Sequence, residues 1–484
     1  MRCGRLDAAR RADLSVDVAT MSARQKSLAL ITLVVALVLE IVDLTIVNTA
    51  LPLIKAEIGA DSAAAQGIVA GYSLAFALLL MAGGRLGDSF GYRRVFVLGV
   101  TGFTLASAGC GLARTGGELV AARLLQGATG AIMAPQSLAL MQVLFDPLER
   151  VAKMAMFGLI GGLAAIAGPI LGGLLIQADV FGLGWRIVFL INLPVGVAAI
   201  AAALAFLPPT RSTRPAGYDL PGMVLFALAV AAVFWPLVRE GGSQHAGLVA
   251  ASLLMATLLL WLGWRHVGRR VAAGLPALFD PALFAIPSFR LGLAMSVAFA
   301  AANAGFLLVF AFALQVERGQ TPLATGLLHM PFGFGAMLGI GVLGRTFLPR
   351  FGRWVLVAGT LAMALAVIVV MAGIGPWAMP LPALVPGLVL AGTGMGTASG
   401  SIGPVAVAQV DRAHAGAASS LLKTCQQFGS AAGVALVGAL YFGAASLARA
   451  PAALVAAATI ALALAGCALL ALRLPGDIFA RRAH

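Results

Sequence analysis

The stretch LALITLVVALVLEIVDLTIVNTAL, residues 28–51, decides the reading of this chain. It is apolar over a length that lets a helix cross a hydrocarbon core of about 30 Å. Yet it carries two acids, Glu40 and Asp43, and an ionised carboxylate near a helix centre costs about 2.5–3.5 kcal/mol on insertion scales. The two lie three residues apart and so share one face of the helix. Acids held at such a cost point to function, and a carboxylate that is neutral in one conformation and charged in another suits a proton-exchanging site. The competing reading is a fixed ion pair between Asp43 and Arg123, the one base read inside an apolar run.

The composition agrees. Hydrophobic residues make up 61% and charged residues 10% of the 484, with mean hydropathy +1.00, far outside the range of a soluble domain. Fourteen apolar runs of about 20 residues follow one another, the last at 450–472. An open sheet edge cannot survive in lipid, so each run is expected to be a helix and the fold class to be an all-α polytopic membrane protein. The net charge of +14 does not indicate a nucleic-acid partner, because the bases form no patch on a soluble domain. They sort by side instead. With the N-terminus in the cytoplasm, Arg85, Arg93, Arg94, Arg150, Lys153, Arg345, Arg350, Arg353 and Lys423 fall inside, while the far smaller outer set includes Lys55, Arg114 and Arg186. That asymmetry sets both termini in the cytoplasm of a cell-membrane protein. Residues 1–20 lack the apolar core of a signal peptide. Cys3, Cys110, Cys425 and Cys467 have no pairing or histidine spacing that builds a metal or disulfide framework, so neither a metal nor another cofactor is expected. No GxxxxGK[ST] stretch for ATP is present, and the chain does not read as an enzyme.

A weak internal repeat divides the chain. GGRLGDSFGYRR (83–94) and LGRTFLPRFGRW (343–354) both carry Gly-Arg, then Phe-Gly and a further base. This is the echo that two similar six-helix halves leave. The expected division is a cytoplasmic tail at 1–27, an N-terminal six-helix bundle at 28–207, two inserted helices with their linkers at 208–288, a C-terminal six-helix bundle at 289–473 and a tail at 474–484.

Several of these pieces resemble a known family. GRLGDSFGYRR (84–94) and AGPILGG (167–173) are similar to the loop and antiporter signatures of the major facilitator superfamily. DLTIVNTALP (43–52), RLLQGATGA (123–131), WRIVFLINLPVG (185–196) and AGAASSLLKTCQQFGSAAGVAL (415–436) resemble its fourteen-span drug:proton antiporter branch, the EmrB/QacA type. The resemblance runs from about residue 28 to 472, in the right order along the spans. It implies two six-helix bundles with two central helices between them. It also implies proton-coupled export of small amphipathic or hydrophobic compounds by alternating access, as a monomeric unit in the lipid bilayer. The alternatives are a carrier dedicated to one metabolite, such as an antibiotic or siderophore, and, from another class, a channel or receptor. One departure is Ser89, where this family often holds arginine after the Asp88 position.

The residues themselves give the expected sites. Asp43, Glu40 and Arg123 form the proton-coupling group. Gly84, Gly87, Asp88, Gly91, Arg93 and Arg94 make a tight loop in which Asp88 can meet the positive end of a neighbouring helix. Pro169, with Gly168, Gly172 and Gly173, is expected to bend the fifth span. Asn48, Gln126, Asn303, His329, Gln426 and Gln427 are the polar candidates for lining a central cavity, although a lone membrane histidine is more often a packing residue.

Overall fold

The computed structural model describes residues 21–209, 219–238, 246–411, 414–447 and 451–475. Residues 1–20 of the expected tail at 1–27, with Cys3, residues 476–484 of the expected tail at 474–484 and much of the first linker lie outside the described residues. The N-terminal half contains α1 (Ala23–Glu57), α2 (Ser62–Phe90), α3 (Tyr92–Leu112), α4 (Gly116–Leu144), α5 (Pro147–Ala178) and α6 (Gly184–Phe206). Then come α7 (Leu220–Val238) and α8 (Ala246–Ala272). The C-terminal half contains α9 (Pro287–Phe312), α10 (Pro322–Leu338), α11 (Arg353–Ile374), α12 (Val385–Val407), α13 (Ala415–Leu447) and α14 (Ala452–Leu472). Two π-helical stretches, Ala313–Glu317 and Gly339–Gly344, continue α9 and α10. Among the described residues 12 helices are long and apolar enough to cross a membrane; α4 and α7 fall outside that set.

Helix starts follow local chemistry. A capping box of Ser22 and Gln25 opens α1, while Thr115 and Thr321 accept amide hydrogens from Glu118 and Ala324 at the starts of α4 and α10. The helices are apolar outward as well as inward: Leu98, Leu105, Leu462 and Leu469 stand exposed on the periphery. This is how a bundle faces lipid, where outward burial of apolar surface needs no protein partner.

The two halves pack by one scheme used twice. In the first, α1 meets α5 and α6, α4 meets α2 and α3, and α3 meets α6; in the second, α9 meets α13 and α14, α12 meets α10 and α11, and α11 meets α14. The halves join where α2 lies along α13 and where α5 lies along α10. Small residues bring the backbones close: a Cβ at Gly83 or Gly127 would strike the carbonyl of Ala131 or Tyr72, and one at Gly392 or Gly396 that of Phe332 or Ala336.

The sequence echo has a structural counterpart. Gly91 (φ 91°) and Gly352 (φ 56°) make the turns that lead into α3 and α11, in backbone conformations that favour glycine. Just beyond each turn an arginine reaches the end of the last helix of its own half. Arg93 Nη2 donates to the carbonyl of Leu204 near the end of α6, and Arg353 Nη1 donates to those of Leu472 (3.1 Å) and Leu474 (3.2 Å) at the end of α14. Both arginines therefore satisfy helix-end carbonyls, a role beyond topology.

The inserted pair packs together, with α7 resting on α2 and α13. A buried acid fastens it. Asp219 Oδ1 accepts from His266 Nε2 at 2.7 Å and from the Gly222 amide at 3.0 Å, and Oδ2 accepts from the Leu278 amide at 3.0 Å. Arg270 Nε lies 3.6 Å away, and the same linker is held by Arg85 Nη2, which donates to the Ala277 carbonyl. Burial alone would raise the Asp219 carboxyl, but the hydrogen bonds from His266, Gly222 and Leu278 outweigh it and hold it below the ordinary aspartate value. Its stabilisation is thus complete above that value and is lost only as pH falls through the lower, folded one. Asp219→Ala is expected to cost about 1–3 kcal/mol by stranding its donors, read as a lower unfolding temperature in detergent that is unchanged between pH 6 and 8. An unchanged unfolding temperature would show that the fastening contributes nothing.

Candidate functional site

Asp43 sits midway along α1, fully buried, and so does Arg123 on α4. Arg123 Nη1 donates to Asp43 Oδ2 at 2.6 Å and to Gln126 Oε1 at 2.6 Å, while Nε donates to the Ile68 carbonyl on α2 at 3.1 Å. Two amides complete the carboxylate's shell: Gln126 Nε2 and Asn192 Nδ2, each 2.7 Å from Asp43 Oδ1. Ser107 on α3 braces both, accepting from Gln126 at 2.7 Å and from Asn192 at 3.3 Å. The guanidinium lies over the Tyr72 ring, 4.5 Å from its centroid. Five helices of one half, α1, α2, α3, α4 and α6, thus converge on one charge pair. A buried ion pair offsets its desolvation only when the remaining donors and acceptors are also matched; here both carboxylate oxygens and Arg123 Nη1 and Nε are matched, while Arg123 Nη2 has no hydrogen-bond partner among the described residues.

Glu40 stands one turn earlier on the same helix and is half-buried. Among the described residues its carboxylate makes no hydrogen bond or ion pair. The two acids that read alike in the sequence therefore have opposite surroundings, one enclosed and one open. Asn192 and Ser107 were not among the expected site residues. Asn192 lies in the quoted WRIVFLINLPVG stretch and was legible there; Ser107 carries no signal beyond being polar in an apolar run.

The loop residues are placed as follows. Asp88, in the last turn of α2, accepts from the hydroxyl of Tyr92, the first residue of α3, at 2.7 Å. Gly87 packs on Gln136, Gly84 lies near Pro135, Gly91 forms the turn and Arg94 is exposed. On α5, a Cβ at Gly168 or Gly172 would meet α1 at the carbonyls of Val42 and Ile46, both 3.2 Å away. Gly173 faces the other half: its Cβ would lie 2.6 Å from Leu323 Cα and 2.7 Å from the Pro322 carbonyl on α10. Pro169 is buried in the same seam, where its carbonyl meets Gly326, and α5 runs continuously through it.

Of the polar candidates, Gln126 belongs to the Asp43 shell and not to a cavity wall. Asn48 is buried and bonds weakly within α1, to the Thr45 carbonyl at 3.5 Å. His329 is buried against Phe310, with Nδ1 2.9 Å from the Thr325 carbonyl of its own helix. Gln426 and Gln427 are half-buried on α13, and Asn303, half-buried on α9, has an Oδ1 without a partner among the described residues. Lys423, counted with the cytoplasmic side, belongs to α13, eight residues past its start at Ala415.

The halves meet closely at the end away from the termini. Gln315 Nε2 donates to the Thr49 carbonyl at 2.9 Å, and Lys55 Nζ lies 4.4 Å from the Phe442 ring centroid. Toward the other end the packing of α5 on α10 is concentrated on Pro322–Leu338, and Gly158, Gly162 and Gly341 have open space where a Cβ would stand. The seam between α5 and α10 is therefore more loosely packed toward the end that carries the start of α1.

Comparison with known proteins fits this geometry. The chain is 38% identical over 409 residues to the "Probable actinorhodin transporter" of Streptomyces coelicolor, covering 84% of this chain and 71% of that one. It is 32% identical over 420 residues to the "Puromycin resistance protein pur8" of Streptomyces alboniger, covering 86% and 82%. It is 34% identical over 402 residues to the "Drug efflux pump JefA" of Mycobacterium tuberculosis, covering 82% and 77%. A crystal structure of an auto-inhibited POT family peptide transporter shares the fold, with TM-score 0.62 at 18% identity over 92% of this chain and 97% of that one. The Major Facilitator Superfamily model matches residues 33–434, and with two helical halves packed by one repeated scheme the chain belongs to that family.

Proposed function

We propose that this protein exports small amphipathic or hydrophobic compounds from the cell, driven by inward proton flow. The observation that carries the proton step is that one helix holds both an acid in a hydrogen-bonded shell, Asp43, and a half-buried acid without a partner among the described residues, Glu40. An acid without a partner inside a span is costly when charged and inexpensive when neutral, so it exchanges a proton as its exposure changes. Asp43 and Arg123 hold the adjoining charge, and protonation of Asp43 would release Arg123 and loosen five helices at once. The export direction is supported by relatives whose names describe resistance, efflux and export. Names tied to one compound, actinorhodin or tetracenomycin C, favour as a second reading a carrier dedicated to a single metabolite.

In this proposal all fourteen helices α1–α14 span the membrane and both termini are cytoplasmic. The bundles at 28–207 and 289–473 rock about the inserted 208–288 pair, one chain forms the transport unit, and the loosely packed end of the α5–α10 seam faces the cytoplasm. The test is uptake into inside-out vesicles or proteoliposomes under an imposed pH gradient, with a chemically varied panel. Accumulation that collapses with an uncoupler is expected. Accumulation that is indifferent to the gradient would overturn proton coupling, and absence of movement across the panel would overturn export.

A further inference from the structure

Helix α8 stands at the edge of the bundle. It packs chiefly on α7 and on the linker that follows it, and of the candidate spans it is the least enclosed. Its last two turns carry Arg265, His266, Arg269 and Arg270, which helical periodicity divides into two i, i+4 pairs. His266 and Arg270 lie toward the face of the buried Ala256, Gly263 and Val267, where Gly263 meets Phe226 of α7, and both turn to Asp219. Arg265 and Arg269 lie on the opposite face and are exposed. Among the described residues neither of their side chains makes a hydrogen bond or an ion pair, and the buried acid close by, Asp219, is already engaged.

The outward face has the order of a membrane crossing. Leu254, Leu258 and Trp261 precede Arg265 and Arg269 along one exposed stripe at helical spacing, and the Arg265 guanidinium lies 4.7 Å from the Trp261 ring centroid. Hydrocarbon thus gives way to an interfacial aromatic and then to bases. At a rise of about 1.5 Å per residue from the middle of the apolar run 247–264, Arg265 lies about 14 Å out and Arg269 about 20 Å. Those depths fall where a core of about 30 Å meets the headgroups. Arginine pairs with phosphate by charge-assisted, often bidentate hydrogen bonds, and bases at the membrane surface attract anionic lipids. We propose that this face of α8 binds an anionic phospholipid, its phosphate between Arg265 and Arg269 and an acyl chain along Leu254, Leu258 and Trp261. The apolar stripe commits the site to a lipid, since a free phosphate would leave it bare. The same two turns fasten Asp219, so a bound lipid braces the inserted pair and raises stability.

Thermal unfolding of the purified full-length protein in detergent, titrated with phosphatidylglycerol or with phosphatidylcholine of the same chains, tests this. Phosphatidylglycerol should raise the unfolding temperature and reach half its effect at about one tenth the concentration of phosphatidylcholine, the size of one hydrogen bond to a charged group. Arg265→Gln with Arg269→Gln should abolish that preference and leave the unfolding temperature in detergent alone unchanged. Arg24→Gln with Arg473→Gln, the same loss of charge from exposed positions at two other helix ends, should keep it. An equal response of wild type to both lipids, a preference that survives without Arg265 and Arg269, or one lost equally from the Arg24 and Arg473 variant overturns the site. sn-Glycerol 3-phosphate supplies the phosphate without the chains, and stabilisation by it at the phosphatidylglycerol concentration would overturn the lipid in favour of a free anion.

Discussion

Arg123→Ala is expected to destabilise the protein by about 3–5 kcal/mol, the cost of leaving a buried charge without its partner. It should also abolish gradient-driven export. The carboxylate of Asp43 would keep only its two amide donors, Gln126 and Asn192, while the Ile68 carbonyl and the Tyr72 ring would lose the guanidinium they face. Asp43→Asn should be penalised for the converse reason, since Arg123 then becomes the stranded charge. The neutral double variant, Asp43→Asn with Arg123→Gln, is the informative case. It removes both charges together, so the unfolding temperature should return most of the way to wild type, because contacting residues are not additive. Export should not return, because nothing in the shell can then change charge. Thermal unfolding in detergent and transport at matched protein content read the two effects separately. A double variant that exports at the wild-type rate would make the pair purely structural, and an Arg123→Ala protein with wild-type stability would remove the energetic argument.

Gly173→Val should lock the protein away from the state seen here. Gly173 is the point at which α5 presses on the backbone of α10, with no room for a Cβ between it and Leu323. Forcing a branched side chain into a packed contact costs about 1–3 kcal/mol, and 1.4 kcal/mol is a tenfold change in a two-state population. The wedge opens the far end of the molecule and so disfavours the conformation in which Gln315 bonds Thr49. Cysteines placed at positions 49 and 315 in an otherwise cysteine-free background should crosslink efficiently with glycine at 173 and poorly with valine, and turnover should fall more than substrate binding. Unchanged crosslinking would refute the wedge, and equal loss of binding and turnover would indicate misfolding.

The membrane architecture was legible because it rests on run length and apolarity, which survive any uncertainty about packing. What the sequence could not separate was Glu40 from Asp43. On one helix face they look equivalent, and only the approach of α3, α4 and α6 encloses one and leaves the other open. Arg123 and the fixed-pair reading could be foreseen, because a lone base inside an apolar run needs an acid. Ser107 could not, since a serine in a membrane helix usually bonds its own backbone, as Ser107 also does with Phe103. The start of α13 was not legible either: the helix begins at Ala415, before the apolar run does, and takes in Lys423. Counting spans is sensitive to the same kind of detail. In α4, Arg123 and three glutamines, Gln126, Gln136 and Gln142, dilute the apolar run, and the apolar part of α7 that qualifies, Leu220–Val233, is short.

The arginines that follow the two turn glycines have a mechanical consequence. By tying the loop before α3 to the end of α6, and the loop before α11 to the end of α14, Arg93 and Arg353 turn four helices of each half from an open string into a closed hoop. A hoop transmits load around its circumference. When the seam between α5 and α10 parts, the pull on one helix is shared around the four helices so closed, α3–α6 or α11–α14, and they swing as a lever instead of bending where they are pulled.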